Sequence, residues 1–301
     1  MSHKNALKEC ARWVMAKVPA RIIRSVPSHL GRRRLLAMCA GAVQVYPREF
    51  RTRTPEGLVF QGHTSDVIQR MVYVYGVWEP EISAWVKGFL RPGDSVLDVG
   101  ANWGFFSVWA SACVGSRGAV VAFEPVPIIF DSLIQNVSLN GLTNIVPKNV
   151  VLSDKNGSVE MFLATSENIG NSATFAEPGF TSVGQVRAVC GDDMGLEGFE
   201  PIRLIKVDTE GDEYRVLCGL KRTLNRMTPG GAVLVEITPD KLSLRGHQAS
   251  DVWSLFPLSD WDRYTIVNNY SETSYAATRF EAPSAVSEVP KERVDMIFLR
   301  K

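Results

Sequence analysis

Three acidic residues stand at the ends of short apolar runs in the middle of the chain. Asp98 lies near the end of the first run, Glu124 directly follows the second, and Asp208 directly follows a later one. Apolar, β-branched runs that alternate with helical patterns are typical of parallel strands, whose carboxyl ends meet at one edge of a sheet. Ligands of parallel sheets bind at that edge, so we expect these carboxylates to serve one site.

Asp98 opens a glycine turn, because residues 98–104 read DVGANWG. Gly100 and Gly104 let the backbone approach a ligand closely, and the helix predicted behind them offers free N–H groups. The spacing differs from G-x-G-x-x-G, and the Asp98 carboxylate would repel a pyrophosphate but attract the ammonium group of a methionine moiety. The turn therefore predicts S-adenosylmethionine as the cofactor in preference to NAD. A nicotinamide-dependent oxidoreductase is the weaker alternative, because no tyrosine–lysine or histidine proton relay is evident.

Glu124 follows Gly104 by twenty residues, the place of a ribose-binding acid in folds of this kind. Its carboxylate can accept hydrogen bonds from both ribose hydroxyls, and Pro125 then turns the chain away. The ordinary alternative is a solvated glutamate after a strand. From position alone, Leu152 and Ser153 at the end of the third strand are expected to flank the adenine.

The segment 206–213, which reads KVDTEGDE, carries the acids best placed for catalysis. A hydroxyl acceptor is a poor nucleophile while it is protonated, so a nearby carboxylate can orient it or take its proton. Asp208 and Glu210 are our candidate catalytic residues. Capping of the next helix explains Asp212 and Glu213 better than it explains these two. Clustered acids can also bind Mg²⁺, which the sequence permits but does not favour.

Acceptor contacts are predicted in a loop that holds Asn168 and Asn171, whose amides can bind a hydroxylated compound. The alternative there is plain turn chemistry around Gly170. After Asp208 the chain continues into Thr209 and Glu210, not into the Pro-Pro-aromatic run that suits methylation of base amines. A small-molecule or glycan hydroxyl is therefore the expected acceptor, and nucleic acid is not an expected partner.

Taken together, five segments make the chain similar to the FkbM family of methyltransferases. The resemblance covers roughly residues 75–240, and its segments read GVWEP from residue 76, DVGANWG from 98, FEP from 123, NIGN from 168 and IKVDTEGDE from 205. It implies methyl transfer from S-adenosylmethionine to oxygen, typically a hydroxyl of a sugar, glycolipid or secondary metabolite. It also implies a cofactor pocket lined by Glu79, Asp98, Gly100, Asn102, Glu124 and Asp208.

The same resemblance implies that Glu236, at the end of the fifth strand, faces the acceptor. Residues 189–194 depart from the family's smoother apolar pattern, which leaves the alignment there uncertain. A non-catalytic member of the fold that binds a ligand or partner is the remaining alternative. The intact glycine turn argues against it.

The periodicity of apolar residues predicts the strands and helices that carry these residues. Strands are predicted at 95–99, 120–123, 145–152, 204–207, 233–237, 264–267 and 296–299, with added antiparallel strands at 158–164 and 185–189. Helices are predicted at 66–90, 104–114, 126–139, 212–226 and 249–256. The fold class is α/β, with a Rossmann-like, seven-stranded, mostly parallel sheet of the class I methyltransferase type. We expect a basic N-terminal helical cap over residues 1–90 and a methyltransferase domain over 91–301.

Composition and residue spacing argue against a disordered chain, a zinc protein and a membrane-spanning protein. The chain has 301 residues, of which 45% are hydrophobic and 22% charged, as in ordinary globular proteins. The five cysteines lack C-x-x-C spacing, so free thiols are expected, and the four histidines lack the spacing of a zinc site. Neither a secretory signal nor a run of about 18 apolar residues is evident, which favours a cytoplasmic protein.

The basic charge is confined to one end, because residues 1–50 hold ten Lys or Arg and two acids although the whole chain has a net charge of +1. We expect this helical segment to pack its apolar stripe on the core. The alternatives are peripheral contact with an anionic membrane or partner, and an organelle transit peptide. The sequence does not predict the oligomeric state.

Overall fold

The computed structural model describes residues 3–164, 172–176, 178–268, 270–271, 274–275 and 280–301. The helices are α1 (His3–Lys17), α2 (Ala20–Ser25), α3 (Arg32–Val45), α4 (Val67–Tyr75), α5 (Pro80–Phe89), α6 (Phe105–Val114), α7 (Pro127–Leu139), α8 (Glu213–Gly219), α9 (Lys221–Arg226), α10 (Pro239–Leu244) and α11 (Ala249–Ser254). The strands are β1 (Glu49–Arg53), β2 (Val59–His63), β3 (Ser95–Val99), β4 (Ala119–Phe123), β5 (Ile145–Lys148), β6 (Val151–Ser153), β7 (Gly157–Ala164), β8 (Ser172–Ala173), β9 (Phe180–Cys190), β10 (Ile202–Val207), β11 (Ala232–Ile237), β12 (Trp261–Ile266), β13 (Ser284–Ala285) and β14 (Val294–Arg300).

The main sheet has eight strands within the described residues, in the order β13-β12-β14-β11-β10-β3-β4-β5. The five strands from β11 to β5 are mutually parallel, and β14 is antiparallel to both of its neighbours. This confirms the predicted Rossmann-like α/β class. The eighth strand is the two-residue β13, which the sequence did not predict. The strand order reverses between β3 and β10, the position at which ligands bind in open α/β sheets.

Two apolar layers cover the faces of this sheet. Val96 of β3 packs into a cluster with α5, α6 and the N-terminal helices, whereas the next residue, Leu97, packs against α8 and α11 on the opposite face. Successive side chains of a strand point to opposite faces, so a strand covered on both faces must be apolar throughout. This arrangement explains why the strands read as continuous apolar runs.

The N-terminal segment is not wholly helical, because β1 and β2 form an antiparallel hairpin. The prediction of an all-helical cap was wrong here. Only Phe50 and Thr52 of β1 are buried, and the residues that alternate with them are exposed and charged, so no helical pattern or apolar run marks the strand. Asn136 of α7 and Asn140, which directly follows that helix, hold the hairpin. The backbone N–H of Val59 donates to Asn140 Oδ1 at 2.8 Å, and that of Gln61 donates to Asn136 Oδ1 at 3.0 Å.

Three predicted elements are interrupted. The predicted strand 145–152 divides into β5, in the main sheet, and β6, which pairs with β9 in a separate four-stranded sheet. Asn149 causes the division, because its Nδ2 donates to the carbonyls of Glu124 and Pro125 and turns the chain.

The predicted helix 66–90 ends at Gly76, whose φ of +84° closes α4 before α5 begins. The predicted helix 212–226 breaks at Leu220 into α8 and α9. The predicted antiparallel strands at 158–164 and 185–189 correspond to β7 and β9, which pair with each other.

Residues 1–50 join the same core as the sheet. Ala20, Ile23, Cys39 and Val43 are buried and belong to the apolar cluster that includes Val96. The helices α2 and α3 both pack on α4. None of the helices in the described ranges is long and apolar enough to cross a membrane.

Candidate functional site

A cavity of about 430 Å³ opens at the carboxyl edge of the main sheet, beyond the ends of β3, β4, β10 and β11. Its volume lies in the range of small-molecule sites. α4 and α5 form one wall of it, and the chain around Tyr270 forms another. The sequence candidates that line it are Glu79, Gly100, Asn102, Glu124, Pro125, Leu152, Asp208, Glu210 and Glu236.

Three sequence candidates lie behind the cavity wall. Gly104 directly precedes α6 and faces Leu133, and Ser153 donates a hydrogen bond to the adjacent Asp154 carboxylate. Asp98 is fully buried, and its Oδ2 accepts a hydrogen bond from Ser107 Oγ at 2.5 Å. Its Oδ1 has no partner among the described residues. Burial raises the pKa of Asp98.

The predicted acceptor contacts Asn168 and Asn171 lie outside the described residues. Their neighbours Ser172, Ala173 and Thr174 line the cavity. The role of the two asparagines therefore stays a prediction.

The glycine turn is shaped by contact between strands. Gly100 has a φ of +84°, and a Cβ atom there would lie 1.8 Å from the carbonyl oxygen of Asp208. Only glycine fits this crossing of the β3 and β10 ends, because a side chain would collide with backbone. The neighbouring strand thus gives a reason for this glycine that the sequence did not reveal. Gly100 also lines the cavity, and its predicted role in close approach of a ligand stays a prediction.

Glu124 is locked onto this turn. Its Oε2 accepts from the backbone N–H of Asn102 and its Oε1 from that of Val126, both at 2.9 Å. The residue is 3% exposed, and burial raises the pKa of its carboxyl to about 7 even though both hydrogen bonds favour the anion. The group thus reaches the cavity in a fixed orientation and titrates near neutral pH.

Lys206 is a buried cation among acids. Its Nζ lies 2.9 Å from Asp208 Oδ2, and Asp98 and Glu79 add further negative charge. Burial alone would lower the pKa of Lys206. The surrounding carboxylates together have a larger effect than burial, so the pKa of Lys206 is raised overall. Burial alone would raise the pKa of Asp208, yet the charge and hydrogen bond of Lys206 lower it overall. Asp208 is therefore held as a carboxylate.

Two further acid–base pairs complete this side of the cavity. Glu210 pairs with Lys241 of α10, and Glu236 pairs with Arg293, which directly precedes β14. Burial, together with the charge of Asp208, raises the pKa of Glu210. The same two causes raise the pKa of Glu236 to about 10, and its side chain shares a hydrogen bond with Asp208.

Glu213 organises the loop that presents Glu210. Its Oε1 accepts hydrogen bonds from the backbone N–H groups of Thr209 and Gly211, both at 3.0 Å, and from Thr209 Oγ1 at 3.1 Å. Glu210 itself has a φ of +56°, an unusual conformation for a residue with a side chain. Glu213 therefore braces this loop, whereas the sequence suggested that it caps the following helix.

The C-terminal region supplies site residues that sequence reasoning missed. Tyr270 Oη donates to Glu79 Oε1 at 2.9 Å and stacks on Trp78 with ring centroids 5.1 Å apart. Arg293 contacts both Tyr270 and Glu236. No motif surrounds Tyr270 or Arg293, so the only available signal was that Arg293 stands directly before the last apolar run. Among the described residues, no group of three or more His, Cys, Asp or Glu side chains is arranged to hold a metal ion.

Comparisons with known proteins agree with this architecture. The family model described as "Methyltransferase FkbM domain" matches residues 98–264, which is more than half of the chain. The comparison with curated proteins finds no match.

The chain is similar to three solved structures, among others. Methyltransferase FkbM from Methylobacillus flagellatus is 12% identical with a TM-score of 0.41, over 72% of this chain and 50% of that one. An rRNA methylase from Streptococcus thermophilus is 12% identical with a TM-score of 0.42, over 73% and 93%. A SAM-dependent O-methyltransferase from Thermotoga maritima is 14% identical with a TM-score of 0.41, over 84% and 77%.

Proposed function

The chain belongs to the FkbM methyltransferase family, and we propose that it transfers a methyl group from S-adenosylmethionine to a hydroxyl oxygen of a sugar, glycolipid or secondary metabolite. One observation carries the proposal: a single cavity is lined beyond β4 by Glu124 and beyond β10 and β11 by Asp208, Glu210 and Glu236. The part of the cavity beside Glu124 suits a nucleoside. The part beside Asp208, Glu210 and Glu236 suits a hydroxyl group that must lose its proton.

The residues around Glu124 fit S-adenosylmethionine. Backbone donors fix the Glu124 carboxylate, and its remaining lone pairs can accept both ribose hydroxyls. Apolar side chains of Phe123, Val151 and Leu152 line the adjoining wall, as an adenine ring requires. The unpartnered Oδ1 of Asp98 lies behind the cavity wall, so it suits the ammonium group of the methionine moiety through an intervening water. A pyrophosphate would meet unfavourable carboxylates at the same places.

The acids beyond β10 have different roles in catalysis. When bound, S-adenosylmethionine supplies an electrophilic methyl group on a sulfonium centre. Asp208 stays ionised beside Lys206, so it can orient the acceptor by accepting a hydrogen bond from its hydroxyl. Glu210 has a raised pKa and is the stronger base, so it would take the hydroxyl proton as the acceptor oxygen gains the methyl group and the sulfur–methyl bond breaks.

Glu236 plays a different part from the other two acids. With a pKa of about 10 it is protonated at neutral pH and donates its proton in the hydrogen bond to Asp208. It therefore orients Asp208 and leaves Glu210 as the base. Positioning of the acceptor by these groups should supply most of the rate.

Calorimetric titration tests the cofactor assignment. We expect S-adenosylhomocysteine to bind the purified chain, and NAD⁺ and NADP⁺ not to bind, with or without Mg²⁺. The variant Glu124→Ala should bind S-adenosylhomocysteine about tenfold or more weakly, since a hydrogen bond to a charged group contributes about 1.5–3 kcal/mol. Binding of a nicotinamide cofactor alone would overturn the proposal.

Transfer of a ¹³C-methyl group tests the acceptor assignment. The chain is incubated with ¹³C-methyl-S-adenosylmethionine and a panel of glycans and hydroxylated metabolites, and products are read by NMR. Methyl signals at oxygen-bound chemical shifts support O-methylation. Methylation confined to amines or carbon centres would contradict it, and binding of S-adenosylhomocysteine without any transfer would favour a non-catalytic member of the family.

A further inference from the structure

The helices α1, α2 and α3, with the 3₁₀ turn Ser28–Leu30, form an outer shell that we call the N-terminal layer. Large apolar side chains are unusually exposed on it. Six of them lie between 48% and 62% exposed, whereas the whole remainder of the described chain has seven exposed large apolar side chains, which range from 36% to 66%. The six are Trp13, Val14, Ile22, Leu30, Met38 and Val45.

These side chains follow helical spacing on the solvent side. In α1, exposed Cys10, Trp13, Val14 and Lys17 are spaced three, one and three residues apart, which places them on one stripe. The buried Ala16 lies off that stripe. Hence α1 has an apolar surface in addition to the one that faces the core.

In α3 the pattern repeats. Exposed Arg34, Met38 and Val45 share a stripe by their spacing of four and seven residues, and Leu36, Cys39 and Val43 are buried. Single exposed apolar residues need no explanation, but a concentration of them on one layer marks an interaction surface.

The charge of the layer is almost entirely positive. Residues 3–45 contain nine Lys or Arg and one acid, Glu9. Arg24 serves the fold, because its guanidinium donates to the carbonyls of Tyr73 and Arg53, both at 2.7 Å. The others include Lys8, Arg12, Lys17, Arg21 and Arg34, which are exposed.

We propose that the N-terminal layer docks on an anionic lipid bilayer. Basic side chains beside exposed Trp and aliphatic side chains are the composition of helices that lie in a membrane interface. Each Lys or Arg near an anionic surface contributes about 1 kcal/mol, and buried apolar area adds to this. Contacts to a nucleic-acid backbone use basic and polar groups, so they would leave the six apolar side chains unexplained.

Docking would hold the cavity close to the lipid head groups. α2 and α3 pack on α4, and Val67, Ile68 and Met71 of α4 line the cavity. One helix, about 10 Å across, therefore separates the layer from the site. The docking itself does not depend on which reaction the site performs.

Vesicle flotation of the full chain tests this proposal. The probes are vesicles of phosphatidylcholine alone and vesicles with about 30% phosphatidylserine, in about 0.1 M salt. Wild type should float with the anionic vesicles only. Arg21→Glu combined with Arg34→Glu should weaken this binding about tenfold or more. The matched control, Arg117→Glu combined with Lys155→Glu, reverses two exposed charges outside the layer and should bind like wild type.

A second pair of variants isolates the apolar contribution. Trp13→Ser combined with Ile22→Ser leaves the charge unchanged and should weaken anionic-vesicle binding several-fold. Leu244→Ser combined with Leu258→Ser removes two equally exposed side chains elsewhere and should not. Melting temperatures of all variants are compared first, so that only folded proteins are scored.

Three outcomes would overturn the proposal. Wild type could ignore anionic vesicles, or the control variants could lose binding as much as the layer variants. Alternatively, the chain could bind a DNA duplex, but not vesicles, in a way that depends on Arg21 and Arg34 and not on Trp13 and Ile22, which would make the layer a polyanion site.

Discussion

Glu124 should make cofactor affinity depend on pH near neutrality. Its carboxyl has a pKa of about 7 because it is buried, and only the ionised form can accept hydrogen bonds from both ribose hydroxyls. Affinity for S-adenosylhomocysteine should therefore rise from about pH 6 to about pH 8, by roughly tenfold, since one pKa unit corresponds to about 1.4 kcal/mol. Calorimetry across this range measures it.

The variant Glu124→Gln is the control, because it keeps the shape but cannot ionise. Its affinity should be lower at about pH 8 and nearly independent of pH. Stability of the unliganded protein should show the opposite trend. A carboxyl whose pKa is raised in the folded state binds extra protons there, so its contribution to stability is lost as pH rises towards 7. If wild type and Glu124→Gln gave parallel affinity profiles, another group would control binding.

Glu210 should matter more for turnover than for binding. Glu210→Gln removes the proposed base, so kcat should fall by about 10² or more while affinity for S-adenosylhomocysteine stays within a few-fold. Asp208→Asn should also lower kcat, and in addition it should lower stability, because it leaves the buried Lys206 without its carboxylate partner. Both effects are measured by steady-state kinetics on the identified acceptor, with calorimetry and thermal unfolding alongside.

Glu236→Gln separates orientation from proton transfer. The Gln amide can still donate a hydrogen bond to Asp208, as the protonated Glu236 does. Its kcat should therefore stay within a few-fold of wild type. A loss as large as that of Glu210→Gln would mean that Glu236, and not Glu210, accepts the proton.

The junction of β3 and β10 depends on Gly100. Gly100→Ala would place a methyl group 1.8 Å from the Asp208 carbonyl oxygen at a φ of +84°, so the two strand ends must separate. We expect a loss of about 3 kcal/mol or more in the free energy of unfolding, measured by urea denaturation. Gly41→Ala, in the middle of α3 with open space around it, should instead stabilise by about 0.5–1 kcal/mol. Equal effects of the two substitutions would refute this account of the junction.

The elements around the site could be predicted wherever local pattern decides them. The apolar runs of β3, β4, β10 and β11 are buried on both faces, and this burial is what makes them visible in the sequence. The hairpin β1–β2 could not be predicted, because its charged outer residues hide the two inward ones. The division between β5 and β6 depends on Asn149 reaching back to Glu124, a contact that no periodicity reveals.

The site is closed by contacts between distant parts of the chain. Tyr270 and Glu79 are 191 residues apart in sequence and 2.9 Å apart at their oxygens. The acids that follow strands could be predicted because strand ends converge on one sheet edge. Tyr270 and Arg293 could not, because only the completed fold brings the C-terminal region against α5.

The N-terminal layer should prove necessary for folding as well as for docking. Deleting residues 1–45 removes Ala20, Ile23, Cys39 and Val43 from the apolar cluster shared with the sheet, and it uncovers α4, which lines the cavity. We expect a fall in melting temperature of more than about 10 °C, or aggregation, and weaker binding of S-adenosylhomocysteine.

Deletion of residues 1–10 is the matched control. The side chains described between residues 5 and 11 are all exposed, so this truncation should change the melting temperature by less than about 2 °C. Thermal unfolding and gel filtration measure both proteins. If the longer truncation melted like the full chain, the layer would be a separable appendage, and the shared apolar cluster would contribute little to the stability of the sheet.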